Sequence, residues 1–162
     1  MDPRYEEFVA AETPRLLRVA YGLTGNPHDA WDLVQEALVR VGMRWRKVGD
    51  GNPGGYAHTT MVRLNIDRGR RLSRERLPGT LPDHDAPVRV DAVLDPALIE
   101  ALKALPKQQR AAVVLRALED LDHADIAERL GCSVGTARSH LSRGLARLRE
   151  ILAEQEVAEH GA

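Results

Sequence analysis

The fold of this chain is decided by the stretch Asp122–Glu150, DHADIAERLGCSVGTARSHLSRGLARLRE. Its pattern predicts a short helix that ends at Gly131, a brief turn, and a second helix that begins after Ser133. Glycine adopts the left-handed backbone of such a turn without steric cost, and the small side chains of Ala127 and Ala137 allow two helices to approach closely. This is the form of a helix-turn-helix, whose second helix enters the major groove of DNA.

The second helix of this motif also has the chemistry of a DNA-contacting helix. Between Ser133 and Arg149 it contains four arginines and no acidic residue. Arginine can donate two hydrogen bonds to guanine, and hydroxyl groups can contact bases or phosphates. A solvated basic face is the alternative interpretation, but the capped short helix, the glycine turn and the second helix together favour DNA binding. The apolar residues of this helix predicted to face inward are Val134, Ala137, Leu141, Leu145 and Leu148. The polar residues predicted on its outward face are Thr136, Ser139, His140, Ser142 and Arg143, with Arg138 flanking them.

The remainder of the chain is predicted to be helical. No segment shows the apolar and polar alternation of a strand, and aromatic residues make up only 4% of the chain. The clearest amphipathic pattern runs over 30–45, where apolar residues recur every three or four positions. Further helices are predicted over 4–23, with a kink or a break at Pro14, and over 56–71, after a glycine-rich loop at 49–55.

Residues 72–93 differ in composition from the helical segments on either side. They contain three prolines and no helical period, which indicates a linker. The prediction is therefore an all-α fold with two small helical domains, at residues 1–71 and 94–153, joined by an irregular linker. The acidic residues 154–162 are predicted to be a frayed tail.

Composition limits the functions that the chain can have. Its 162 residues carry a formal net charge of −1, which as an average argues against a nucleic-acid partner. The charge is segregated, however, with basic stretches at 40–47, 63–71 and 138–149. One cysteine and scattered histidines predict no metal site and no cofactor, and no catalytic motif indicates an enzyme. The chain shows no apolar span or secretory leader, so we predict no membrane insertion and a cytoplasmic location.

Two segments resemble the small extracytoplasmic-function sigma factors of the sigma-70 family, with several features similar to its actinobacterial branch. The run ALKALPKQQRAAVVLRALEDLDHADIAERLGCSVGTARSHLSRGLARLRE, at 101–150, resembles sigma region 4. The run LLRVAYGLTGNPHDAWDLVQEALVRV, at 16–41, resembles region 2 around its DAxDLVQE pattern. The resemblance implies a subunit of bacterial RNA polymerase that directs initiation at specific promoters and catalyses no reaction itself.

The resemblance also implies where the polymerase binds. In the family, the DLVQE helix docks on the clamp helices of the largest polymerase subunit, and the flap is a second contact. Anti-sigma control is common in the family, although the sequence identifies no inhibitor. The residues that the resemblance assigns to polymerase contact are Asp29, Asp32, Gln35, Glu36 and Arg40.

Promoter contacts are implied in both halves of the chain. In region 2 the residues assigned to the melted −10 strand are Arg44, Arg46, Lys47, Tyr56, Arg63, Arg68, Arg70 and Arg71. In region 4 the −35 element is assigned to Arg138, Ser139, His140, Ser142 and Arg143, with Thr136 and Arg147 on phosphates. Trp45 is expected in the core rather than as a stacking surface. The chain departs from the family pattern at Trp31, Arg63 and Gly69.

Two other functions remain open from the sequence. A DNA-binding regulator of the LuxR type has a similar helix-turn-helix, but it would need a sensor or receiver domain of strands and helices at the N-terminus. A helical hydrolase could use the carboxylates of Asp29, Asp32 and Glu36 on a metal, but it would need partner ligands on another helix. The all-helical pattern of residues 1–71 disfavours the first, and the absence of convincing partner ligands disfavours the second.

Overall fold

The computed structural model of the chain describes residues 1–74 and 94–161, and for residues 69–74 it describes only the backbone. Within these ranges the chain contains helices and no strands, which confirms the predicted all-α class. Residues 75–93, most of the predicted linker, lie outside the described part. The helices are α1 (Pro3–Thr24), α2 (Pro27–Met43), α3 (Trp45–Val48), α4 (Pro53–Arg74), α5 (Pro96–Lys103), α6 (Lys107–Glu119), α7 (His123–Leu130) and α8 (Val134–His160).

The described residues form two compact units, one before residues 75–93 and one after them. In the first unit α2 packs against both α1 and α4. The members of the predicted amphipathic pattern that lie in α2, from Ala30 to Val41, are buried, so the pattern did identify the core-facing side of α2. The largest fully buried side chains of this unit are those of Leu16, Leu23, Leu33 and Met61.

The helices of the first unit differ from the sequence prediction in four places. Helix α1 is continuous from Pro3 to Thr24, so Pro14 does not divide it. Arg44 leaves the helical conformation and separates α2 from the single turn α3, whereas the pattern predicted one helix through Trp45. Helix α4 begins at Pro53, because proline is well suited to the first turn of a helix. The loop before α4 is therefore shorter than the predicted loop at 49–55. The helix also extends to Arg74, into the segment predicted as linker.

Trp45 packs against α1, as expected for a core position. Its indole Nε1 donates a hydrogen bond to Asp2 Oδ2 at 3.0 Å. The rings of Tyr5 and Phe8 lie with their centroids 5.4 and 5.6 Å from it. The side chain is half-buried, and these contacts fasten the start of α1 to α3, the single turn that follows α2.

The second unit is built around α8, which packs against α5, α6 and α7. Gly144 of α8 lies directly against α6, where a Cβ atom would come within 2.7 Å of Val113 Cγ2. Helix α8 continues to His160, so the predicted frayed tail is helical through that residue. Val134, which the sequence pattern placed on the buried face of this helix, is 45% exposed. No helix in the described ranges is long and apolar enough to span a membrane.

Candidate nucleic-acid and partner interfaces

The turn between α7 and α8 has the geometry that the helix-turn-helix pattern predicted. Gly131 has φ 71° and ψ 40°, which lies in the left-handed region where glycine is favoured. Ser133 caps α8, because its Oγ accepts a hydrogen bond from the backbone N–H of Thr136 at 3.1 Å. The same Oγ donates to Thr136 Oγ1 at 2.9 Å. The first turn of α8 is therefore fixed by local hydrogen bonds, and Ile126 and Ala127 are buried beneath it in α7.

The face of α8 that was predicted to contact the −35 element is exposed. Residues buried on the opposite side, Ala137, Leu141 and Leu148, hold the helix against its neighbours. The exposed members of the predicted set are Thr136, Arg138, Ser139, Ser142, Arg143 and Arg147, and His140 is half-buried. Exposed guanidinium and hydroxyl groups on one helix can hydrogen-bond to both base edges and phosphates.

Arg147 differs from the other arginines of this face in having an acidic neighbour. Its Nη1 donates to Glu150 Oε2 at 3.1 Å, three residues along the helix. An exposed pair of this kind contributes little to stability, and it reduces the positive potential at that end of the surface. The basic surface of α8 is thus strongest before Arg147, towards the N-terminal end that a recognition helix presents to bases.

The predicted polymerase-contacting residues all lie on α2. Asp29, Gln35 and Arg40 are exposed, and Asp32 and Glu36 are half-buried. The structure adds two apolar residues that the sequence interpretation did not single out. Val39 and Met43 are 57% and 80% exposed. Because residues four apart lie on the same side of a helix, these two side chains form an apolar strip beside the polar residues.

Glu36 connects α2 to α4 through a pair of arginines. Its carboxylate accepts a hydrogen bond from Arg40 Nη2 at 3.3 Å and a closer one from Arg68 Nη2 of α4. Partial burial raises the pKa of Glu36, but the hydrogen bonds and charges of Arg68 and Arg40 outweigh it and leave this pKa below its ordinary value. Two residues that the resemblance assigned to different partners, polymerase and the −10 strand, are therefore in contact with each other.

The basic residues after α2 border a surface groove. Arg44, Arg46 and Lys47 are exposed. The groove has a volume of about 750 Å³, and its lining comprises Asp2, Gly42, Met43, Arg44, Trp45, Arg46 and Lys47. A groove with three cations and an aromatic wall suits the phosphates and bases of a single strand.

The other predicted −10 residues are on α4. Tyr56 is half-buried near its start and Arg63 is exposed. Arg68 is held by Glu36, as described above. Arg70 and Arg71 belong to the last turns of α4, where the structure describes only the backbone. Arg44, Arg46 and Lys47 therefore line one groove, whereas Arg68 is engaged in its ion pair with Glu36.

One buried polar pair was missed by the sequence interpretation, which treated the histidines as isolated. His58 of α4 is 3% exposed, and its Nε2 lies 2.9 Å from Glu12 Oε1 of α1. The two residues are 46 positions apart, so no local spacing could have indicated the pair. The described residues contain no group of three or more His, Cys, Asp or Glu side chains arranged to hold a metal ion.

Comparison with known proteins matches both units to one family. Residues 8–75 match the model of sigma-70 region 2, and residues 96–148 match that of sigma-70 region 4. The ECF RNA polymerase sigma factor SigE of Mycolicibacterium smegmatis is 38% identical over 94% of this chain, which spans 63% of that protein. The RNA polymerase sigma-E factor of Streptomyces avermitilis is 37% identical over 94% of this chain and 87% of its own length.

Solved structures show the same fold. The sigma factor RpoE of Bartonella quintana, solved in complex with the anti-sigma factor NepR, superposes with a TM-score of 0.68. It is 24% identical, and the match covers 92% of this chain and 96% of that one. The extracytoplasmic-function sigma factor SigJ of Mycobacterium tuberculosis is 30% identical with a TM-score of 0.65, over 89% of this chain and 53% of that one.

Proposed function

This chain belongs to the extracytoplasmic-function group of the sigma-70 family, and on that premise we propose that it binds core RNA polymerase and directs initiation at specific promoters. The observation that supports this best is the presence of both regions in one chain, each with exposed polar side chains on the helix expected to make its contacts. A sigma factor acts by positioning the polymerase on the promoter and by binding the melted −10 strand, so it needs no covalent chemistry of its own. The site of action that this function implies is the cytoplasm.

The −35 element would be recognised by α8 in the major groove. The exposed arginines Arg138 and Arg143 can each make bidentate contacts to guanine, and Ser139 and Ser142 can reach bases or phosphates from the same side of the helix. The half-buried His140 flanks this group, and Thr136 and Arg147 would hold the sugar–phosphate backbone. Because the second unit offers only this small surface, the free chain should bind promoter DNA weakly and with strong salt dependence.

The first unit would hold polymerase and the melted −10 strand on different elements. The polar residues of α2, with Val39 and Met43 beside them, suit a helix–helix interface that combines hydrogen bonds with apolar burial. The cations around the groove near Trp45 suit the phosphates of the single strand, and Tyr56 and Arg63 of α4 are further candidates. We propose residues 1–71 as the polymerase and −10 domain, and 94–153 as the −35 domain.

The alternative, a LuxR-type regulator, is disfavoured by the first unit. Such a regulator needs a sensor or receiver, whereas α1 to α4 form a helical unit that matches sigma region 2. The hydrolase alternative gains no support from its proposed carboxylates, because Glu36 is engaged by Arg40 and Arg68. An anti-sigma factor is a further candidate partner, since the similar Bartonella quintana protein was solved in complex with one.

Reconstitution with core polymerase tests the proposal. The purified chain is expected to co-elute with core enzyme and to direct initiation from discrete sites on genomic DNA. The double variant Asp32→Arg/Gln35→Ala should lose core binding, whereas Arg138→Ala/Arg143→Ala should keep core binding and lose selectivity for the −35 element. Glu7→Arg, an equivalent charge reversal on the exposed side of α1, is the control for the first variant.

The outcomes separate the functions clearly. A chain that neither co-elutes with core nor directs specific initiation is not a sigma factor. If it instead binds specific duplex DNA tightly without polymerase, the LuxR-type alternative gains support. If the two double variants lose the same activity, the assignment of polymerase contact to α2 and of −35 contact to α8 is wrong.

A further inference from the structure

Val134 is an apolar residue in an unusual place. It is the first residue of α8 and is 45% exposed, one of five large hydrophobic side chains that are exposed among the described residues. The other apolar side chains in the first two turns of this helix, Ala137 and Leu141, are almost fully buried. Packing in the second unit therefore leaves nearly half of Val134 uncovered, and a β-branched residue has no advantage at this position in a helix.

The next residue, Gly135, is also unexplained by the fold. A Cβ atom added there would meet nothing within 4 Å. Glycine inside a helix costs about 1 kcal/mol relative to alanine, and one reason to have it is the close approach of a ligand to the backbone. An exposed apolar side chain and an open stretch of backbone thus lie together on the first turn of the recognition helix.

The position of Val134 relative to the −35 residues defines what it can contact. Val134, Arg138 and Ser142 are spaced by four residues, so they follow one another along one side of α8. The N-terminal end of a recognition helix is the part that reaches base edges. Among the groups that the major groove displays, the C5-methyl of thymine is the apolar one, and it pairs with apolar side chains.

From these observations we infer that Val134 contacts the C5-methyl of a thymine in the −35 element, and that Gly135 allows the DNA to approach this turn. The inference rests on the proposed function and adds a specificity-determining residue to it. Burial of one methyl-sized group predicts that the methyl increases affinity about fourfold. Arg138 would supply hydrogen bonds to a neighbouring base pair, so Val134 and Arg138 would specify different features of the site.

The test uses holoenzyme reconstituted from the full chain and core polymerase. Its −35 element is first selected from a randomised DNA library, and each thymine of that element is then replaced by deoxyuridine, which lacks only the methyl group. We expect one replacement to weaken promoter binding by the wild type about fourfold. In Val134→Ala this thymine-to-uracil ratio should fall to about one, because the side chain that contacts the methyl is shortened.

Val157→Ala is the matched control, since Val157 is an exposed valine at the far end of the same helix, and it should keep the wild-type ratio. Gly135→Ala should weaken binding to all −35 sequences and leave the ratio unchanged. The inference is overturned if no thymine of the selected element shows methyl dependence, or if Val134→Ala keeps it. A chain that initiates nowhere with core polymerase overturns the proposed function as well, so the two failures can be distinguished.

Discussion

Gly144→Ala should destabilise the second unit, although alanine is the better helix former. The added Cβ atom would lie 2.7 Å from Val113 Cγ2 and 3.0 Å from the carbonyl oxygen of Gln109, both on α6. A backbone oxygen cannot turn away as a side chain can, so α6 and α8 must move apart. Overpacking of this kind costs about 1–3 kcal/mol, and the gain in helix propensity offsets about 1 kcal/mol of it. We expect a net loss of up to about 2 kcal/mol in the free energy of unfolding of this unit.

Gly135→Ala is the matched control for this substitution. It is the same change in the same helix, but a Cβ atom there has no neighbour within 4 Å. Without overpacking only the propensity term remains, so this variant should be more stable than the wild type by up to about 1 kcal/mol. The two variants should therefore change stability in opposite directions, and the difference between them measures the close contact of α8 with α6.

Hydrogen exchange of the full-length protein gives the required measurement. Peptides from α6 and α8 report opening of the second unit, and a loss of up to about 2 kcal/mol should speed their slowest exchange by up to about 30-fold. Both tryptophans, Trp31 and Trp45, belong to the first unit, so unfolding followed by tryptophan fluorescence should not change. If Gly144→Ala exchanges as slowly as Gly135→Ala, the argument from close helix contact is refuted.

Two further predictions concern the first unit. Tyr5→Phe removes the hydroxyl that donates to the carbonyl oxygen of Leu38 at 2.7 Å, so we expect a loss of about 1 kcal/mol, measured by urea unfolding with tryptophan fluorescence. An unchanged urea midpoint would contradict this contribution. The pKa of Glu36 is lower in the folded chain than in the unfolded chain, so its ionised carboxylate stabilises the fold at pH values above the pKa that Glu36 has when unfolded. This stabilisation is lost as the pH falls through the pKa that Glu36 has in the folded chain. Urea unfolding between about pH 6 and pH 3 should therefore show a smaller loss of stability in Glu36→Gln than in the wild type, and equal pH dependence would argue against the ion pair with Arg68.

The features predicted correctly from the sequence are those set by neighbouring residues. The left-handed Gly131 and the capping Ser133 act within one helical turn, so the helix-turn-helix could be derived from spacing alone. The buried side of α2 follows from a period that continues over several turns. The family resemblance added the assignment of each unit to a sigma region, which the matches at 8–75 and 96–148 bear out.

The features that were missed depend on residues far apart in the sequence. The contact of Trp45 with Asp2 joins residues 43 positions apart, and that of Glu36 with Arg68 joins residues 32 apart. Local pattern does not contain this information, because it arises only when α1, α2 and α4 pack together. The prediction that Val134 is buried was wrong for a different reason. Its spacing placed it with the buried residues of α8, but the whole first turn, residues 133–136, is exposed.

The ion pairs of Glu36 have a consequence for how the two surfaces of the first unit can be separated experimentally. Glu36 lies on the polymerase-contacting helix α2, yet it also holds Arg68 of α4, a candidate for the −10 strand. Removing its carboxylate would release Arg68 and alter the local charge on α4, so any loss of activity would combine two effects. Gln35→Ala changes an exposed side chain of α2 and leaves both carboxylate–guanidinium pairs of Glu36 in place. Position 35 is therefore one at which polymerase contact can be weakened without removing the carboxylate that joins α2 to α4.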